Sequence, residues 1–302
     1  MLLKTRTEPT ELIALRHLNK RMELSSSDKF QLWTMEKGFT GEVHFDRMTE
    51  SLAEERFIID DLLLKANNSY FQLDKVIIAQ DAVYLIDIKY HEGDYYLEGD
   101  KLYSVNRRRE YKNPVIQLTR SETLFRQLLQ NLKMNHLVRA TVVFNNPEFT
   151  LYQAPMDQPI ILPTQINRFL KELNNTPSKL DESHKKLAQT LLSMHQVKNP
   201  FATLPEYRYD HLEKGMNCRE CGSLNTEIDQ YDLVCGKCGT RERIEKAIVR
   251  HIEEIKVLFP EKKITTQTVY DWCNGKVSRR TFLRVLKKNY KSTGKTKDSY
   301  FD

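Results

Sequence analysis

Apolar positions along the chain switch between a helical and an alternating spacing, and each switch marks an expected element. Residues 1–57 read as mostly helical, with a polar break at Ser25-Ser26-Ser27-Asp28. From Phe57 to Val105 the pattern becomes short runs rich in Ile, Val, Tyr and Leu. These are bounded by Asn67-Asn68-Ser69, Gly93-Asp94 and Glu98-Gly99-Asp100, which describes a meander of strands. Asn113-Pro114 reads as a helix start, with Asn as cap and Pro at the first helical position, and Leu118, Leu124, Leu128 and Leu132 continue it. Strand-like 137–144 and 159–162 follow, then a short helix to about Leu173. This order makes an α/β or α+β core. The polar run Asn174-Asn175-Thr176-Pro177-Ser178 marks a boundary, followed by a helix from Asp181 to Val197 and a linker through Pro200 and Pro205.

Helical spacing returns near the C-terminus. Ile244, Ile248, Ile252, Ile255 and Phe259 trace one apolar face that Pro260 ends. A short helix around 266–273 carries Val269 and Trp272, Asn274-Gly275 makes a tight turn, and Ser278 caps a last helix with Phe282, Val285 and Leu286 inside. Three helices so joined resemble a helix-turn-helix.

Charge sharpens that picture. Residues 241–302 hold 16 Lys or Arg against 8 Asp or Glu, whereas the first 240 residues hold 31 against 33. A basic terminal module on a near-neutral body is an electrostatic handle for nucleic acid, because Lys and Arg displace the counterions condensed on it. Arg279, Arg280, Arg284, Lys287, Lys288 and Lys291 lie away from the apolar face of the last helix, where phosphate contacts and base readout would need them. A solvated basic surface, a structural bundle, or binding of RNA or protein are the alternatives. Hydrophobic residues at 40% and charged ones at 29% exclude disorder throughout. There is no apolar run of membrane-spanning length and no signal-like N-terminus, so the reading is no membrane and a cytoplasmic location.

Two strands carry the candidate chemistry. In Tyr70–Ala79 and Ala82–Lys89, an acid interrupts each apolar run, at Asp74 and Asp87. Strand side chains alternate faces, so Asp87 and Lys89 share a side. With the turn centred on Gln80-Asp81, antiparallel pairing sets Asp74 opposite Asp87, their Cβ atoms about 4.5–5.5 Å apart. Two opposed carboxylates need a positive partner. A divalent cation with oxygen ligands is one answer, and a diagonal Asp74–Lys89 salt bridge on a solvated face is the other. Glu42, in a helix expected after Gly38-Phe39-Thr40-Gly41, shares a stripe with Phe45 and Leu52, so it either joins this site or serves the helix N-terminus. His91 is either a proton shuttle or a surface histidine.

Gly41-Glu42, Gln72-Leu73-Asp74-Lys75-Val76-Ile77-Ile78, Asp87-Ile88-Lys89 with Gly93, and Asn113-Pro114-Val115-Ile116-Gln117 together resemble the nuclease-related domain (NERD) family, over roughly residues 35–150. That family is placed by its motifs in the PD-(D/E)XK nuclease superfamily. The resemblance implies a restriction-endonuclease-like α/β core, a mixed sheet flanked by helices. It also implies a metal-dependent phosphodiesterase using Mg²⁺ or Mn²⁺, with Glu42, Asp74 and Asp87 as acidic metal-site residues, Lys89 as the catalytic lysine and Gln117 as a helix-borne site residue. Asp87 stands where Glu is common, which shortens the reach by one methylene. The superfamily includes dimeric nucleases, so a homodimer is a further expectation.

Cys218-Arg219-Glu220-Cys221-Gly222 and Cys235-Gly236-Lys237-Cys238-Gly239 are paired C-x-x-C knuckles separated by 13 residues. Four thiolates at that spacing can close a tetrahedral Zn²⁺ shell, and the pattern resembles a zinc ribbon. Disulfides are the alternative, His211 is a competing ligand, and Cys273 reads as a small core residue. The expected division is an N-terminal helical extension (1–34), a NERD nuclease-like domain (35–175), a helical linker (176–214), a zinc ribbon (215–240) and a basic helix-turn-helix-like domain (241–302). The function that follows is a metal-dependent nuclease, acting on DNA and targeted by ribbon and tail. The alternative is a non-catalytic nucleic-acid-binding or regulatory protein.

Overall fold

The computed structural model describes residues 1–52, 55–106, 108–197, 199–294 and 299–302. The chain runs β1 (Leu2–Lys4), α1 (Thr10–Asn19), α2 (Ser26–Thr49), β2 (Phe57–Ala66), β3 (Ser69–Ile78), β4 (Val83–Lys89), β5 (Gly93–Glu98), β6 (Lys101–Ser104) and β7 (Glu110–Lys112). It continues through α3 (Pro114–Asn131), β8 (Val138–Phe144), β9 (Phe149–Tyr152), β10 (Ile160–Ile161), α4 (Ile166–Asn175) and α5 (Glu182–Ser193). The last third holds β11 (Thr226–Asp229), β12 (Asp232–Cys235), β13 (Arg241–Arg243), α6 (Ile244–Leu258), α7 (Thr266–Trp272), α8 (Arg279–Asn289), β14 (Ser292–Thr293) and β15 (Tyr300–Phe301). Two units emerge, one of residues 1–7 and 35–201, the other of 8–34 and 202–302. No helix among the described residues is long and apolar enough to cross a membrane.

The first unit is built on a six-stranded mixed sheet in the order β1-β2-β3-β4-β8-β10. Asn67 and Asn68, at φ 46° and 62°, close β2 onto β3 with a two-residue turn that the left-handed tolerance of Asn permits. Alternation along β4 sends Val83 and Leu85 to one face, against Phe125 and Leu128 of α3 and Leu187 and Leu191 of α5. Tyr84, Ile86 and Ile88 go to the other, against Phe45 of α2 and Leu170 of α4. Helices therefore cover both faces, as the resemblance implied. Asn113 caps α3 by accepting from Val115 N at 3.0 Å, with Pro114 at the first position. A second sheet, β7-β6-β5-β9, packs Tyr95, Leu97, Leu102 and Phe149 against Val142 and Phe144 of β8.

Two expectations change. The helix carrying Glu42 does not begin after Gly41; α2 runs unbroken from Ser26 through Gly38 and Gly41. Glu42 therefore lies in a helix interior, which removes the helix-terminus alternative. The helix expected to reach Val197 ends at Ser193, because the chain then turns to bond β2, with Gln196 N donating to Leu63 O at 2.9 Å.

The second unit joins α1, α6, α7 and α8 to the antiparallel sheet β11-β12-β13 around one core containing Leu18, Ile248, Ile252, Trp272 and Phe282. At its centre Arg21 donates to both oxygens of Glu254, at 2.8 and 2.7 Å, and lies 4.2 Å from the centroid of the Trp272 ring. Trp272 Nε1 donates to the same carboxylate at 3.1 Å. Burial would raise Glu254, but Arg21 outweighs it and holds the carboxyl well below its ordinary range. Removing one partner of a fully buried pair strands the other charge. Arg21→Met should therefore destabilise the protein by about 3–5 kcal/mol in urea unfolding, while Arg241→Met, at an exposed pair, should leave the unfolding midpoint close to that of wild type.

Candidate active site and cysteine cluster

The β3–β4 ladder runs from Ile78↔Val83 to Lys75↔Ile86, and its next rung would set Asp74 against Asp87, the expected register. The ladder stops there, while β4 stays paired to β8 as far as Lys89↔Phe144. The strands part at the two acids, and Asp74 Oδ2 takes the Ile88 N–H at 2.8 Å in place of a backbone carbonyl. Asp61, at φ 52°, faces this break from β2. A small pocket opens in the fork, lined by Asp74, Asp87 and Gln72 and by Leu118 and Ser121 of α3.

Lys89 does not make the diagonal bridge to Asp74. Its Nζ lies 2.8 Å from Asp87 Oδ2, on the same strand face. That oxygen is buried and has Lys89 as its ionic partner. The Asp87 carboxyl is pushed up to about 6 by burial and by Asp74, against the pull of Lys89. Burial opposes the Lys89 charge, but Asp87 and Asp74 outweigh it and raise its pKa, so the amine is a cation.

Glu42 reaches the same centre of charge from α2. Its carboxyl is pushed up to about 8, chiefly by burial, with Asp74 adding repulsion that Arg6 only partly offsets. Arg6, which follows β1, donates to Glu42 at 2.8 Å, to Asp46 at 2.8 Å and to the Asp74 carbonyl at 2.7 Å. Asp46 also receives Lys75 at 3.0 Å, and Lys75 bonds Asp60. Arg6 and Lys75, with side chains 3% and 1% exposed, are thus buried cations that tie α2 to β1, β2 and β3. Sequence reasoning missed Arg6, Asp46 and Lys75. Lys75 and Asp46 did carry a signal, as charges on otherwise apolar faces beside Val76 and Phe45. Arg6 had none, because nothing in the chain's periodicity ties residue 6 to residue 42.

The three acids are not drawn around one point. Among the described residues, only Cys218, Cys221, Cys235 and Cys238 bring three or more candidate ligand atoms within 4.8 Å of one another. Gln117 is exposed on the first turn of α3 and does not line the pocket that Leu118 and Ser121 line. His91 is no surface histidine. It packs against Tyr95, Tyr111, Phe144 and Phe149, and burial pushes it down to about 4, so it is neutral.

Helix α2 approaches this closely because Gly41 faces Tyr90, and Asn145 Nδ2 donates to the Gly41 carbonyl at 2.7 Å. A Cβ at position 41 would fall 2.3 Å from Tyr90 Cβ.

In the second unit, the knuckles bring Cys218 Sγ to 3.6 Å from Cys238 Sγ and Cys221 Sγ to 3.5 Å from Cys235 Sγ. All five cysteines are free thiols. Four sulfurs on a tetrahedron with about 2.3 Å bonds stand about 3.8 Å apart, so the cluster has the size of a zinc ribbon's metal shell. His211 is not part of it. Arg250 fixes the first knuckle to α6 by donating to Asn217 Oδ1 and O at 2.7 Å each. Cys273 is fully buried, and burial pushes its thiol up to about 12. The six basic residues at 279–291 are all exposed. Arg284 and Lys288 lie 3.5 and 2.8 Å from Glu245, and Arg279 lies 4.7 Å from the Tyr270 ring.

The family model of the nuclease-related domain matches residues 37–145. That stretch holds Glu42, Asp74, Asp87, Lys89 and Gln117 and ends on Asn145, and it excludes Arg6 and the cysteine cluster. No curated protein and no solved structure matches the chain.

The close approach at Gly41 gives a direct test. Gly41→Ala should destabilise the protein by about 1–3 kcal/mol in urea unfolding, the cost of overpacking, because neither backbone can yield without moving an acid. Gly38→Ala, where an added Cβ meets nothing within 4 Å, should be neutral or stabilising.

Proposed function

We propose that this chain, which carries a nuclease-related domain, is a metal-dependent nuclease that hydrolyses phosphodiester bonds in DNA. The observation that supports this most is the half-buried Asp74–Asp87 pair in the strand fork, lining a pocket beside cationic Lys89. Uncompensated negative charge at a pocket is what a hard divalent cation relieves, and oxygen donors suit Mg²⁺ or Mn²⁺. Asp74 and Asp87 would hold the ion, with Glu42 completing the acidic set. When bound, such an ion polarises the phosphodiester and lowers the pKa of a coordinated water. Lys89, held protonated by its two acids, stabilises the charge that develops on the phosphate, and it does not serve as the base. Gln117, on the exposed first turn of α3, is proposed as a contact to substrate.

The four cysteines would hold Zn²⁺ in a closed site whose role is folding. α6, α7 and α8 would act as a helix-turn-helix-like module, with Arg279, Arg280, Arg284, Lys287, Lys288 and Lys291 on phosphate and base edges. The protein would then work in the cytoplasm, where DNA and reduced thiols are both at hand.

A non-catalytic nucleic-acid binder is the second reading. It is favoured by Arg6, which already engages Glu42, and by the spread of the three acids.

Cleavage separates the two readings. Plasmid and linear DNA should be cut with Mg²⁺ and left intact with EDTA, and Asp87→Ala and Lys89→Ala should each slow cutting by about 100-fold or more, followed on gels. Salt-sensitive binding without products would favour the second reading. Cation binding should also depend on pH in a defined sense. Asp87 at about 6 and Glu42 at about 8 are protonated below those values. Mg²⁺ must displace those protons, so its affinity by calorimetry should rise from pH 6 to pH 8 and level off above, with protons released to buffer.

A further inference from the structure

We propose that the outer face of the four-stranded sheet is a stacking platform for single-stranded nucleic acid, which makes single strands the preferred substrate class. The link to cutting rests on the nuclease reading, whereas the binding surface stands on its own geometry.

The register of β9, β5 and β6 carries the proposal. Tyr96 of β5 pairs with Tyr152 of β9 on one side and with Tyr103 of β6 on the other, so three tyrosines form one row across three adjacent strands. Their neighbours Tyr95, Leu97, Leu102 and Leu151 are buried in the core beneath. Alternation therefore turns the tyrosine row outward. Tyr152 is 52% exposed at one end, and the Tyr96 and Tyr103 rings stack at 5.3 Å and 20°. Tyr96 and Tyr103 are half-buried, and none of the three tyrosines belongs to the core cluster below. Such rings offer π faces that bases of any sequence can stack on.

Exposed arginines at one edge suit a polyanion as the occupant, its bases on the rings. The loop between β6 and β7 reads Arg107-Arg108-Arg109, with Arg108 and Arg109 exposed and Arg107 outside the described residues. Lys101 and Lys112 pair on the outer face, and Lys101 bonds Glu110, which stands opposite Tyr103 at the end of the row, at 2.9 Å. Glu98 shares the turn end of the β5–β6 hairpin with Lys101, and Arg108 and Arg109 follow β6 at the other end, where alternation also turns Asp94 outward. That end is anchored by Val105 N donating to Asp94 O at 2.9 Å. Asp94 is five residues from Lys89, within about 18 Å by chain reach, so the basic end adjoins the strand that carries Asp87 and Lys89. A paired duplex hides the base faces that such a row would engage, whereas a single strand presents them to the rings and its phosphates to the arginines.

The test uses the full-length chain in EDTA, with fluorescence anisotropy of labelled 15-nucleotide oligo(dT), oligo(rU) and a 15-base-pair duplex. Tyr152→Ala, at the exposed end, and Tyr96→Ala should each weaken single-strand binding about 10-fold or more and leave duplex binding within about twofold. Tyr96→Phe and Tyr152→Phe should bind like wild type, because the ring and not the hydroxyl is used. Quenching of protein fluorescence by oligo(dT) should shrink in the Ala variants, with melting temperatures monitored to separate lost stacking from lost fold. Unchanged single-strand affinity in a folded Tyr152→Ala and Tyr96→Ala pair, or equal losses for single strand and duplex, would overturn the platform. A difference between dT and rU tells DNA from RNA on the same surface. Tyrosine-dependent binding without Mg²⁺-dependent cutting would uphold the platform and reject the nuclease reading. Cutting of single strands unaffected by the tyrosines would do the reverse.

Discussion

Carboxylate charge gathered where β3 and β4 part, half-buried and only partly offset, is the interaction around which the first unit is arranged. Asp74 and Asp87 would repel across a continuing ladder, and the ladder ends there instead. The strands diverge by one rung, a side-chain oxygen replaces a carbonyl as acceptor for Ile88, and a pocket appears between the sheet and α3. Three cations are spent on the same problem: Lys89 on Asp87, Arg6 on Glu42 and Asp46, and Lys75 on Asp46 and Asp60. Even so, Glu42 and Asp87 remain raised. Burying this many like charges is costly, and a chain selected for stability alone would replace them with apolar residues of similar volume. Their retention is the physical argument that the charge is there to be used.

The second unit solves a related problem without leaving charge over. Glu254 is more deeply buried than Glu42 or Asp87, but Arg21 meets it with two hydrogen bonds and Trp272 with a third, so its charge is fully matched. The comparison explains why one set of buried acids reads as a site and the other as a keystone. In both, a residue near the start of the chain closes a contact with residues far along it, Arg6 with Glu42 and Asp74, and Arg21 with Glu254.

Much of the first unit's fold was legible because its signals are local. The strand meander, the Asn-Asn turn, the Asn-Pro helix start and the β3–β4 register all follow from spacing and from the conformational preferences of a few residues. Asp74 and Asp87 of the candidate site were legible for the same reason, since a charge inside an apolar run announces itself. The unbroken course of α2 was not, because two glycines within four residues argue for a break, and only the close fit of Gly41 beneath Tyr90 explains why the helix continues through them.

The sequence by itself determined which side chains carry charge, which faces are apolar, and that four cysteines at knuckle spacing would meet. Tertiary structure decided how those charges are shared, that Lys89 attends Asp87 and not Asp74 and that Arg6 claims Glu42, and it left Gln117 exposed outside the pocket. It also turned three separate tyrosines into one row. The reason is range. Periodicity and turn chemistry act over a few residues, whereas the partner of a buried charge is set by whichever element the whole fold brings within about 3 Å of it.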